Sequence, residues 1–334
     1  MFVAPARTRP VATCLLRQIR CASTTTTNTG RPFSSQQLQH VAPPSAAGYP
    51  YEHLYTEENF TALKVAHEAW LMQQRASAVG NEEVIGSAAP ANIAREMNMA
   101  EAAMMVPNPD VDKILILVRH GEAGHNVFER DYMACGRTGV AGFDKECPQD
   151  PLLSSRGMGQ VLNLSRTVDT YCNSHTHFFP ELFVVSPLRR ATQTALIAFP
   201  RYAPGHTLRN TKWICNKDVS ERSNGYYSDI SAPPQELADE FPGIDYSLYW
   251  DTYDPVNDVT GPLELEKTKH DLVKKTGKFL SWVKGREERV IVVSSHSYWL
   301  QAFNDCALNF EDGGAVQGAP YKNGEMRAVA LRWT

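Results

Sequence analysis

The sequence predicts a three-layer α/β/α fold, with a mostly parallel sheet flanked by helices on both faces and a helical extension before it. Two observations carry this. Short runs of aliphatic residues at 114–118, 182–185, 213–215 and 290–293 alternate with longer stretches of helical periodicity, the pattern of repeated βαβ units. These runs are apolar throughout rather than alternating, as expected of strands covered on both faces. With 334 residues and 43% hydrophobic content, the chain can furnish one large α/β domain plus extensions.

Residues 1–40 carry Arg7, Arg9, Arg17, Arg20 and Arg31, many Ser and Thr, and no acid. That composition reads as a transit peptide and predicts a mitochondrial address; the alternative is an untargeted tail in the cytoplasm. Residues 41–111 read as a linker and helical arm that could dock a protein partner, with helices over 59–74 and 91–105. Pro107, Asn108 and Pro109 end the arm, and the core domain is expected over 112–334.

Within the core, Ser155 is expected to cap a helix running to Tyr171, and 188–199 reads as a second helix. A third spans 263–284, where Leu265, Leu272, Thr276, Phe279 and Val283 share one face. A last strand is expected over 326–333.

Composition narrows the function. The whole-chain charge is −4, and the presequence arginines make the remainder more acidic still, so nucleic acid is not an expected partner. No apolar run is long enough to span a bilayer. The seven cysteines include no CxxC pair, which predicts reduced, packing cysteines and no zinc site. His175 and His177 read as a surface turn rather than metal ligands.

Three polar clusters follow three of the strand runs: Arg119-His120-Gly121-Glu122, Ser186-Pro187-Leu188-Arg189-Arg190, and Ser294-Ser295-His296. Parallel strands would bring them to one edge of the sheet, where open α/β folds bind ligands. Guanidinium forks match phosphate oxygens, and two histidines beside them make a phosphoryl-transfer inventory. Glu221, after the strand run at 213–215, is the candidate proton donor, with Asp218 as its rival. A carboxyl group among cations stays ionised unless burial raises its pKa.

These motifs resemble the histidine phosphatase superfamily, branch 1, and within it the phosphoglycerate mutase-like phosphatases of fungi and plants. The likeness runs from about 114 to 333. Asp150-Pro151-Leu152-Leu153 with Gly157 and Gln160, and Gln193-Thr194-Ala195 behind Arg190, belong to the same likeness. The resemblance implies that His120 is the phosphorylated nucleophile and that Glu221 is the general acid and base. It also implies that Arg119, Asn126, Arg190 and a protonated His296 bind the substrate phosphate. No metal and no cofactor are implied. Arg189 is then the solvent-facing neighbour of Arg190, and His125 a loop residue. Ser297 departs from the family's glycine after the second histidine, and a WxG signature expected after Gly225 is absent.

The expected activity is hydrolysis of a small phosphorylated metabolite. The alternatives are a cofactor-dependent phosphoglycerate mutase, a mitochondrial protein phosphatase, and a non-catalytic phosphate-binding scaffold. Residues 223–262, expected to cover the site, contain eight acids and no Lys or Arg, which disfavours a second phosphate. Their aromatic residues, Tyr226, Tyr227, Tyr246, Tyr249, Trp250 and Tyr253, could contact a leaving group or pack on one another.

Overall fold

In a computed structural model of the protein, the described residues are 91–106, 108–135, 147–174, 179–206, 211–222, 226–253, 265–310 and 320–334. The transit peptide, linker and helix expected before residue 91 lie outside them, as do His175, His177, Gly225 and residues 254–262.

The described residues form a six-stranded sheet from β1 (Asn92–Met97), β2 (Lys113–Arg119), β3 (Leu182–Val185), β4 (Lys212–Cys215), β5 (Val290–Ser295) and β6 (Met326–Trp333), ordered β1-β6-β2-β5-β3-β4. Strands β2, β5, β3 and β4 pair in parallel, while β6 lies antiparallel to β1 and β2. Only β6 therefore runs against the other strands.

Because strand side chains alternate, the continuous apolar runs serve both faces. On one face Ile114, Ile116, Val118, Phe183, Val185 and Val292 pack against α1 (Met99–Met105), α3 (Ser155–Ser174) and α4 (Arg189–Ala198). Trp213 stacks flat on Phe183 there, with ring centroids 4.2 Å apart. On the other face Leu115, Leu117, Val184, Ile291 and Val293 meet α7 (Leu265–Lys284) and α8 (Ser297–Ala302). Leu272, Thr276, Phe279 and Val283 of α7 are buried, as its spacing predicts. The remaining α-helices among the described residues are α2 (Gly124–Ala134), α5 (Pro234–Glu240) and α6 (Ser247–Thr252).

Two expectations change. Residues 91–105 are not one helix: they divide at Asn98, whose side chain caps α1 in a capping box with Glu101, and the first half is β1. Good helix formers (Ala94, Arg95, Glu96, Met97) are recruited into a strand because β6 offers six paired positions. The outer edge of β1 is also occupied, with the Ala94 N–H donating to Asn309 O at 2.7 Å and Asn92 Nδ2 to Ala307 O at 3.0 Å. The sheet thus begins before residue 112. Second, α3 is capped by Ser154 rather than Ser155: Ser154 Oγ accepts the Gly157 N–H at 3.0 Å.

If β1 is integral, a chain beginning at residue 99 will be several kcal/mol less stable than one beginning at residue 85. Urea denaturation followed by circular dichroism checks this; equal midpoints would return β1 to the arm.

Candidate active site

The parallel register of β2 and β5 sets Arg119 opposite Ser295, so the residues that follow, His120 and His296, emerge together. The His120 N–H donates to Ser295 O at 3.1 Å, and the two imidazole centroids lie 5.0 Å apart. The serines before His296 fasten the neighbouring loops. Ser294 Oγ donates to Ala191 O at 2.8 Å, at the start of α4, and Ser295 Oγ donates to Val219 O at 2.7 Å, just before Glu221. Trp299 Nε1 holds Asp218 O in the same segment.

The turn after His120 is held by the motif residues of α3 and α4. Gly121 N donates to Thr194 Oγ1 at 3.1 Å, Glu122 N to Gln160 Oε1 at 2.8 Å, and Leu153 N to Gln193 Oε1 at 3.0 Å. Glu122 itself accepts Ser154 Oγ–H at 2.7 Å, so it supports the turn. The approach is close enough that a Cβ on Gly157 would sit 1.9 Å from Glu122 O, and one on Gly121 2.8 Å from Gly157 O. Only glycine fits at Gly157.

His120 Nδ1 lies 2.7 Å from Gly121 O. A carbonyl only accepts, so Nδ1 carries the proton and Nε2 keeps its lone pair. Burial, then Arg190 and Arg119, holds the His120 pKa well below its ordinary value, so the ring is neutral. His296 is lowered in the same way, by burial and then by Arg190. It is therefore neutral in the free pocket, and the protonated form expected with a bound phosphate would be favoured by the entering anion. Its Nε2 meets Ser186 Oγ at 2.8 Å.

Arg190 is fully buried, with Nη1 donating to Ser228 O at 2.6 Å and Nη2 to Asp229 Oδ1 at 2.8 Å. Arg119 Nη1 donates to Tyr321 O. The Nε atoms of both arginines and the Nδ1 atoms of His125 and His296 are buried without a protein partner. Buried donors are almost always satisfied. Two unpaired guanidinium N–H donors, beside the unpartnered Nδ1 atoms of two imidazoles that can donate when they carry the proton, describe a receptor for an anion with several oxygens.

Glu221 lies beside this cluster, its Oε1 accepting the Arg222 N–H at 2.9 Å and its Oε2 facing the Tyr298 N–H at 3.5 Å. Burial, then Asp229, raises its pKa, with Arg222, Arg190 and Arg119 opposing. Glu221 is thus buried beside both arginines although the WxG signature is absent. Ser297 adopts no left-handed backbone and simply begins α8, so a glycine is not needed there.

Other residues stand elsewhere than expected. Arg189 is not solvent-facing: it bridges Asp150 at 3.3 Å, Glu236 at 2.5 Å and Glu240 at 2.7 Å. His125 is no loop residue; it lies in the first turn of α2, its ring 5.5 Å from that of His120. Asn126 Oδ1 accepts the Ala123 N–H at 3.1 Å and shapes the start of α2, leaving its amide nitrogen for any phosphate contact. Asp229 and Glu129, both pushed up by burial, join Glu221 at the site and were not singled out in the sequence. The signal available for Glu129 and His125 was their i, i+4 spacing on one helix with Asn126 between them. Among the covering aromatics, Tyr246 and Tyr249 belong to the core, while Tyr227 and Trp250 are exposed.

The family model described as the histidine phosphatase superfamily (branch 1) matches residues 115–326. The chain belongs to this family. It is 29% identical over 138 residues to a protein of Schizosaccharomyces pombe named a probable phosphatase, covering 41% of this chain and 53% of that one. The chain thus spans about half the length of that relative. It is 27% identical over 212 residues to phosphoglycerate mutase-like protein 1 of Arabidopsis thaliana, covering 56% of this chain and 69% of that protein. Among solved structures, mycobacterial hydrolase 1 aligns with a TM-score of 0.36 and 18% identity, covering 66% of this chain and 95% of the other.

Replacing Gly157 with Ala forces Glu122 and the His120 turn apart, and is expected to cost about 3 kcal/mol. Thermal melting would show the loss. An unchanged midpoint would mean that the turn yields at little cost.

Proposed function

We propose that the protein is a phosphomonoester hydrolase that acts on a small phosphorylated metabolite through a phosphohistidine on His120, without a metal. The observation that carries this reading is the pair of buried, unpartnered arginine Nε–H donors, with two unpartnered histidine Nδ1 atoms beside them, around a neutral imidazole whose Nε2 lone pair is free for attack. Nε2 of His120 attacks phosphorus, the bond from phosphorus to the leaving oxygen breaks, and Glu221 supplies that oxygen with its proton. Water then attacks the phosphohistidine, Glu221 takes the proton, and the phosphorus–nitrogen bond breaks to release phosphate. Arg119, Arg190 and His296 donate to the equatorial oxygens, where the charge of the transition state resides. Proton delivery by Glu221 is worth about 10²- to 10⁴-fold.

Hydrolysis is favoured over phosphoglycerate mutation by the carboxylates around the pocket. A mutase must retain a bisphosphorylated ligand, and Asp229 and Glu129 would repel the second phosphate. The pH dependence follows from the two shifts. The nucleophile must be deprotonated, and its lowered pKa keeps it so into acid; the proton donor must be protonated, and its raised pKa extends that form upward from 4.5.

Turnover of a panel of phosphomonoesters without added metal is expected in the wild type, with an acid-labile phosphoenzyme on acid quench. His120→Ala should abolish the phosphoenzyme and lower turnover by more than about 10³-fold. Conversion of 3-phosphoglycerate to 2-phosphoglycerate faster than its dephosphorylation would sink the hydrolase reading. The kcat/KM profile should peak on the acid side of neutrality, with its fall at high pH removed in Glu221→Gln. A fall at high pH that persists in that variant would assign the acid to another group.

A further inference from the structure

The two arginines of the pocket are held differently. Arg119 uses Nη1 on a backbone carbonyl and, among the described residues, forms no ion pair within 4 Å. Arg190 is gripped at both terminal nitrogens by consecutive residues of one segment, Ser228 O and Asp229 Oδ1, in the short 3₁₀ turn Tyr227–Asp229. Its Nε has no protein partner. A guanidinium is planar, so holding both terminal nitrogens from one side fixes the direction in which Nε–H points. After burial, Arg190 is also the charge that most lowers the pKa of both His120 and His296, so its guanidinium lies close to the histidine pair.

The same contact sets charge. The side chains of Arg190 and Asp229 are 1% and 8% exposed, so solvent screens the pair little. A guanidinium already facing a carboxylate offers a phosphate dianion less net attraction than an unpaired one, and the carboxylate repels that dianion directly.

We propose that Asp229 is a positioning residue for Arg190 and a brake on phosphate retention: its oxygen aims Nε at the phosphoryl group, and its negative charge weakens binding of inorganic phosphate. The role rests on the hydrolase reading, in which product phosphate must leave after each turnover. In a mutase the same carboxylate would work against retention of the phosphorylated ligand. The Arg190–Asp229 pair would then help to decide which of two related reactions this pocket favours.

The test uses the full chain and Asp229→Asn, Asp229→Ala and Asp229→Glu. Inorganic phosphate binding is measured by calorimetry, kcat and KM with p-nitrophenyl phosphate, and the thermal midpoint by melting. Asn keeps an acceptor oxygen and removes the charge, so phosphate should bind about tenfold more tightly while kcat falls, a split that lost stability does not produce. Ala removes the acceptor as well, and its kcat should fall below that of Asn. Glu keeps the charge and moves the oxygen, so it should bind phosphate as the wild type does, with reduced kcat. Phosphate affinity that follows the thermal midpoint across the variants, or that is unchanged or weaker in Asn, would overturn the proposal. Because phosphate binding is read without turnover, absence of hydrolysis in every protein would count against the hydrolase reading while the role of Asp229 in phosphate binding was still decided.

Discussion

Parallel pairing of β2 with β5, in the register that sets Arg119 against Ser295, is the constraint on which the pocket hangs. Each strand is followed directly by a histidine that the chemistry needs, and both strands must end at the same height. A slip of one residue would turn every side chain of the strand to the opposite face of the sheet and separate the two imidazoles. The continuous burial of Ile114 to Val118 and of Val290 to Val293 opposes such a slip, because both faces are packed and the helices above and below accept only one arrangement. Apolar burial on both sides of the sheet is thus what aligns polar groups at its edge.

The polar edge is costly to assemble. Two guanidinium groups and three imidazoles stand within one buried region, and desolvation pushes the imidazoles to their neutral forms. Neutral rings relieve the repulsion between cations, and Asp229 relieves more of it by pairing with Arg190. The segment around α5 supports the neighbouring residue in the same way, since Arg189 meets Glu236, Glu240 and Asp150. The acidic stretch after Glu221 therefore acts less as a cover for the site than as the counter-ion frame of the α4 start. Its acids were visible in the sequence, but their pairing with Arg189 and Arg190 was not.

The motif residues outside the chemistry have an equally physical purpose. Gln160, Gln193 and Thr194 each accept a backbone N–H from the turns around His120 and Leu153, and Gly157 permits the close approach that lets them reach. A turn built only from its own backbone would leave those donors buried and unpaired. The nucleophile is held by groups from two helices.

Local patterning alone determined strands β2 to β6, the long helices and the residues that follow the parallel strands, because continuous apolar runs and 3.6-residue spacing are properties of neighbouring residues. His120, Arg119, Arg190, His296 and Glu221 could be named from short motifs for the same reason, and these residues do meet at the sheet edge. Tertiary structure alone decided what depends on partners distant in the chain. Residues 92–97 become a strand because β6 is there to pair with them, although their composition favours helix. Arg189 turns from solvent to Asp150 and α5, His125 turns toward His120, and Asp229 closes on Arg190, each through a contact that no local spacing encodes. Charge state is decided there too, since a histidine or carboxyl acquires its pKa from the depth and the company in which folding leaves it.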